Sequence, residues 1–211
     1  MNFLRVLALA AAPFAASAAS AATITISGQA LIDAETTVAG EFGYQIDLSA
    51  LGLKSVSSVT ITDSALLSET GGQTTGFDVD ALVIGSSTSS FTAASSFQFT
   101  AGGMTSGTQL KGATAGNAGV DNSVATLGTF DGTTSPLNGF LSLGNGGSLT
   151  AFFNPAVAVA GTLFTFASDV GTDERLAEIT ISGAVPLPAS GLLMLGGLGA
   201  VGFMRRRRKA A

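Results

Sequence analysis

Phe77-Asp78-Val79-Asp80-Ala81-Leu82-Val83-Ile84 carries two carboxylates two residues apart. In a strand, alternation sets Phe77, Val79, Ala81 and Val83 on one face and Asp78 and Asp80 together on the other. Like charges so close are stable when both are solvated, when both are hydrogen-bonded, or when a hard cation with a preference for oxygen ligands bridges them. A solvated outer face is the plain expectation. A calcium site at Asp78 and Asp80 is the alternative, marked by a calcium-dependent rise in melting temperature that Asp78→Ala or Asp80→Ala would abolish. No other cofactor is expected. A second acidic stretch, Asp169-Val170-Gly171-Thr172-Asp173-Glu174, lacks the ligand spacing and terminal Glu of an EF-hand loop. Arg175, beside Glu174 and Glu178, reads as a partner in a surface ion pair.

The chain contains no His, no Cys and no Trp. Without His it lacks the commonest general base and the commonest metal ligand. Neither a G-x-S-x-G elbow nor an S-x-x-K nucleophile motif occurs. Paired carboxylates can hydrolyse glycosidic bonds unaided, but nothing in the spacing brings a particular pair to the required separation. The expectation is a protein that is not an enzyme.

The elements that would position these residues show a hydrophobic period of two. Alternating or β-branched runs occur at Thr23–Ser27, Phe42–Leu48, Val59–Thr62, Phe77–Ile84, Ser96–Thr100, Gly139–Leu143, Ser148–Phe153, Thr162–Ala167 and Ala177–Ser182, separated by Gly, Ser and Thr clusters. Such runs predict an all-β fold, a single jelly-roll-like β-sandwich over residues 23–183. Asp33–Ala39 and Asp63–Ser68 could each hold a helical turn. Gly102–Asp121, rich in Gly, Thr and Ala, reads as a long surface loop or irregular edge. There are 14 Phe but a single Tyr, Tyr44. Phe lacks the polar edge that suits Tyr and Trp to half-wet sugar sites. A carbohydrate-binding β-sandwich is therefore the second functional reading, behind a structural one.

Both ends of the chain differ from this body. Residues 1–22 combine Arg5, an apolar run from Val6 to Ala16, and small-x-small sites at Ala16-Ser17-Ala18 and Ala19-Ser20-Ala21, which is the pattern of a secretory signal peptide. Signal peptidase and the Sec-type export machinery are the partners this implies. Residues 190–204 are apolar and uncharged, somewhat short for a membrane-spanning helix of about 17–25 residues. Arg205, Arg206, Arg207, Arg208 and Lys209 follow as a stop, and by the positive-inside rule they stay in the cytoplasm while the body lies outside. Gly197 to Gly202 spells G-x-G-x-x-G, but no strand precedes it and no acid follows it, so it is no dinucleotide site. All fourteen acidic residues lie in the body, against only Lys54, Lys111 and Arg175, a charge of about −11 that disfavours nucleic acid and anionic lipid.

Val185-Pro186-Leu187-Pro188-Ala189, then the apolar segment, then the basic block, resembles the VPLPA variant of the PEP-CTERM sorting signal. The resemblance implies an exported Gram-negative protein, held transiently in the inner membrane and recognised by an exosortase, a membrane-embedded transpeptidase-like enzyme that removes the tail near the motif. It also implies a place at the cell surface or in an extracellular, biofilm-type matrix with exopolysaccharide as a partner. Gly76–Ala81 and Leu141–Thr150 are similar to recurring segments of β-sandwich ectodomains that carry this signal. A rival reading takes Leu187-Pro188-Ala189-Ser190-Gly191 as an LPxTG-like signal for a sortase. Ser190 departs from the Thr of that pattern, and no Pro- or Lys-rich wall-spanning region precedes it.

Overall fold

Each alternating run of the body forms a strand in the computed structural model, which describes residues 20–27, 33–35, 42–64, 72–87, 90–107, 109–129, 139–159, 163–168 and 176–186. The strands are β1 (Ser20–Ser27), β2 (Asp33–Glu35), β3 (Phe42–Asp47), β4 (Ser55–Asp63), β5 (Asp78–Ser87), β6 (Ser90–Ala93), β7 (Ser96–Thr100), β8 (Leu141–Ser142), β9 (Ser148–Ala158), β10 (Leu163–Ser168) and β11 (Leu176–Val185). They form two antiparallel sheets packed together as a sandwich. One has the order β1-β11-β4-β9-β7 and the other β2-β3-β10-β5-β6, with β8 added to β5. Asp33–Glu35, read from sequence as part of a helical turn, is instead a strand paired with β3. The folded unit runs from Ala21 to Pro186.

The period of two explains the core. In β4, Val59 and Ile61 are fully buried while Thr60 and Thr62 are only partly covered, and Ile179 and Ile181 of β11 repeat the pattern. Leu149, Ala151 and Phe153 of β9 join them, and Tyr44, Val79, Leu82 and Ile84 come from the second sheet. Burying each such aliphatic side chain contributes about 1.5–3 kcal/mol. No disulfide supplements this core, because the chain has no cysteine.

The outer face of the first sheet is a grid of hydroxyls. Thr180, Thr60, Thr150 and Gln98 lie opposite one another across β11, β4, β9 and β7. Thr25 of β1 continues the row through a 3.2 Å contact with Thr180, and Thr60 meets Thr150 at 2.8 Å. In the next row Thr23 meets Ser182 at 3.1 Å, and Phe152, with Ser58 and Ser96 on either side, is the exposed large apolar residue.

The described residues of Gly102–Asp121 are irregular, as the sequence implied, but with the residues that follow up to 129 they are not simply a surface loop. Leu110, Ala113, Ala125 and Leu127 are buried in the core cluster. The Leu82 N–H donates to the Leu127 carbonyl at 3.1 Å, so this segment fills the edge of β5 between β8 and β6. Gly, Thr and Ala dilute the apolar signal here. The backbone is held by loop hydrogen bonds, which leave no periodic pattern in the sequence. Among the described residues no helix is long and apolar enough to cross a membrane, and residues 190–204 lie outside them.

Candidate functional site

Asp78 and Asp80 do not lie on a solvated face. Asp78 is 1% exposed and Asp80 3%. The alternation that set them on one side breaks between them, because Ala81 pairs with Ala167 while Val79 pairs with Ser168, leaving Asp80 as the extra residue of a bulge. A bulge inverts the side-chain pattern downstream. Leu82 and Ile84 therefore enter the main core cluster, while Ala81 and Val83, the residues expected on the face of Phe77 and Val79, are buried on the other side of the strand, outside that cluster. Asp78 sits opposite Ser142 of β8 and accepts its hydroxyl at 2.5 Å. Burying a carboxylate is costly unless donors meet it, and here the fold supplies one. Among the described residues no group of three or more His, Cys, Asp or Glu gathers where it could hold a metal ion.

A third buried aspartate was missed by motif reading. Asp63 closes β4 at 6% exposure. Its Oδ1 accepts the Phe77 N–H at 2.9 Å and its Oδ2 accepts the Gly146 N–H at 2.8 Å. Its own N–H donates to the Gly147 carbonyl at 2.9 Å. One carboxylate thus ties the first sheet to the entry of β5 in the second and to the loop between β8 and β9. Hydrogen bonds to an ionised acceptor are roughly twice as strong as neutral ones. The signal was legible in retrospect: Val59, Ile61 and Asp63 share one face, so the inward alternation runs straight onto an acid.

The two segments that resemble recurring ectodomain stretches meet at this corner. Leu143 N–H donates to Phe77 O at 3.0 Å and Gly144 N–H to Thr75 O at 2.7 Å. Gly102 N–H donates to Leu143 O at 2.9 Å, and a Cβ on Gly102 would collide with the backbone of Gly144, Asn145 and Gly147. Only glycine permits so close an approach of two backbones. These stretches carry a packing solution.

The other candidate site is the far end of the same sheet. Val185, the first residue of the proline motif, is the last residue of β11 and is half-buried against the core. Pro186 follows, exposed and unable to donate to the ladder. Leu187, Pro188 and Ala189 lie outside the described residues, as do Arg205 to Lys209, Arg175 and residues 169–174.

Residues 184–209 match the PEP-CTERM protein-sorting motif. The chain is therefore an exported protein bearing a C-terminal PEP-CTERM signal for an exosortase, which sorts it to the cell surface. The matched residues take in the proline motif, the apolar segment and the basic block, and they begin with the last two residues of β11. No curated protein and no solved structure matches the chain.

Proposed function

We propose that this chain is a non-enzymatic structural protein of the cell surface or extracellular matrix, delivered through a VPLPA-type PEP-CTERM signal and associated there with exopolysaccharide. The observation that carries the reading is the matched tail, with Val185-Pro186-Leu187-Pro188-Ala189 followed by an uncharged apolar run and Arg205 to Lys209. A signal peptide over residues 1–22 directs export and is removed. The 190–204 segment then holds the chain in the inner membrane, with the basic block inside, until the exosortase acts. The proline-containing motif cannot continue a helix, which keeps it extended and accessible to the enzyme. The match to the PEP-CTERM motif favours an exosortase over a sortase acting on Leu187–Gly191.

The test is intact mass and fractionation of the protein from its native host, with Val185–Ala189 present or replaced. The wild type is expected to lose its tail and appear outside the cell, while the replaced variant stays full-length in the inner membrane. Both chains retaining Arg205 to Lys209 in the membrane would sink the sorting reading.

A carbohydrate-binding reading is favoured by one specific feature, the hydroxyl grid with Phe152 exposed among serines and threonines. Hydroxyl side chains both donate and accept, which suits a polyol, and an exposed aromatic ring can stack on a sugar face. Saturable shifts of grid resonances on titration with cellohexaose, lost in Phe152→Ala, would support this reading. Unchanged spectra would leave the structural role alone.

A further inference from the structure

The matched signal starts inside the sheet, since Ala184 and Val185 are the last two residues of β11. On one side, Lys54 N–H donates to the Ala184 carbonyl at 2.7 Å and Ala184 stands opposite Ser55 of β4. Immediately upstream, Gly183 lies so close to β4 that a Cβ would collide with the Ser55 carbonyl oxygen. On the other side runs β1, with Thr23 against Ser182 and Thr25 against Thr180. Val185 adds its side chain to the core.

An enzyme that reads an extended segment uses the segment's own backbone donors and acceptors. For Ala184 the carbonyl is already engaged in the sheet. We propose that the exosortase frees the end of β11 from β4 before it reads the signal, so that tail removal proceeds at a rate set by how firmly Ala184 and Val185 are held. This rests on the sorting reading above. The strand end is suited to such release: Lys54 is exposed, Pro186 adds no ladder bond, and the opposite end of β4 is pinned by buried Asp63. Local opening at a strand end leaves the rest of a folded unit intact.

The test follows tail loss over time by intact mass in the native host, using the full chain. A four-residue Gly-Ser insertion between Gly183 and Ala184 leaves 184–209 unbroken but detaches it from the sheet. Lys54→Pro removes the donor to Ala184 and leaves the signal untouched. Each is expected to lose its tail about three- to tenfold faster than wild type, the ratio that corresponds to the net worth of one backbone hydrogen bond. Urea unfolding of the purified, tail-free body checks that both variants fold. Equal or slower tail loss in folded variants would overturn the proposal, because the enzyme would then be reading the signal in its sheet-bound form. A wild-type chain that never loses its tail would overturn the sorting reading, and this proposal with it.

Discussion

The β4–β11 pair has two ends, and they are built differently. At the Asp63 end a buried carboxylate holds two backbone N–H groups from separate loops, and Gly102 seats one loop against another without room for a side chain. At the Ser55 end the ties are backbone bonds, from the Lys54 N–H to the Ala184 carbonyl and from the Val159 N–H to the Lys54 carbonyl, and the residue after Val185 is a proline. One end locks the two sheets of the sandwich together. The other leads into the sorting signal. Stability concentrated at the first end lets the second be modest without endangering the fold, because the two lie a full strand apart and their contributions add independently.

That contrast predicts a ranking of substitutions, measured by urea unfolding of the tail-free body. Asp63→Ala should have the largest effect, about 3 kcal/mol, since it strands two N–H donors in a buried corner. Ser142→Ala should follow at about 2 kcal/mol, because the Asp78 carboxylate loses a donor it cannot replace from water. Lys54→Pro should cost no more than about 1 kcal/mol, the net value of one bond at an exposed strand end. If Lys54→Pro proved as damaging as Asp63→Ala, the two ends would be equally structural and the contrast would fail.

The smallest effect belongs to exposed Asp47 and half-buried Asp121. Asp47 and Asp121 each accept the hydroxyl and the backbone N–H of the serine two residues on, Ser49 and Ser123, and these bonds hold both carboxyls below the usual aspartate range. A folded-state value below the unfolded one gives stability that is present above the unfolded value of about 3.9 and lost as pH falls through the lower folded one. Thermal midpoints followed from about pH 5 downward should therefore fall less steeply in the Asp47→Asn, Asp121→Asn double variant than in wild type. An identical slope would show that neither turn is linked to folding.

The same aspartates show what could be read from sequence. Alternation located every strand of the core, since Val59, Ile61, Ile179 and Ile181 obey it without interruption. Asp78 and Asp80 defeated the same rule, because a bulge is a mismatch between two strands and a single strand's sequence does not display it. Both faces of this part of β5 are covered besides, since every residue from Phe77 to Ile84 is buried. β6 was missed for a related reason. Ser90-Phe91-Thr92-Ala93 is exposed or half-buried throughout, so burial imposes no strong period on it. The tail stands apart from all of these, because the sorting motif it matches is defined by residue types in order, and order is what a sequence displays.

β1 and β11 are neighbours although Thr23 and Ser182 lie 159 positions apart. A chain crossing the membrane with its N-terminus leading therefore delivers β1 long before the strand that must cover one of its edges. Contacts this distant in sequence form late and slowly. The first sheet cannot close until Leu176–Val185 has emerged, and the last two of those residues already belong to the matched sorting motif. The strand that completes the first sheet and the start of the sorting signal are therefore the same stretch of chain, so whatever delivers one delivers the other.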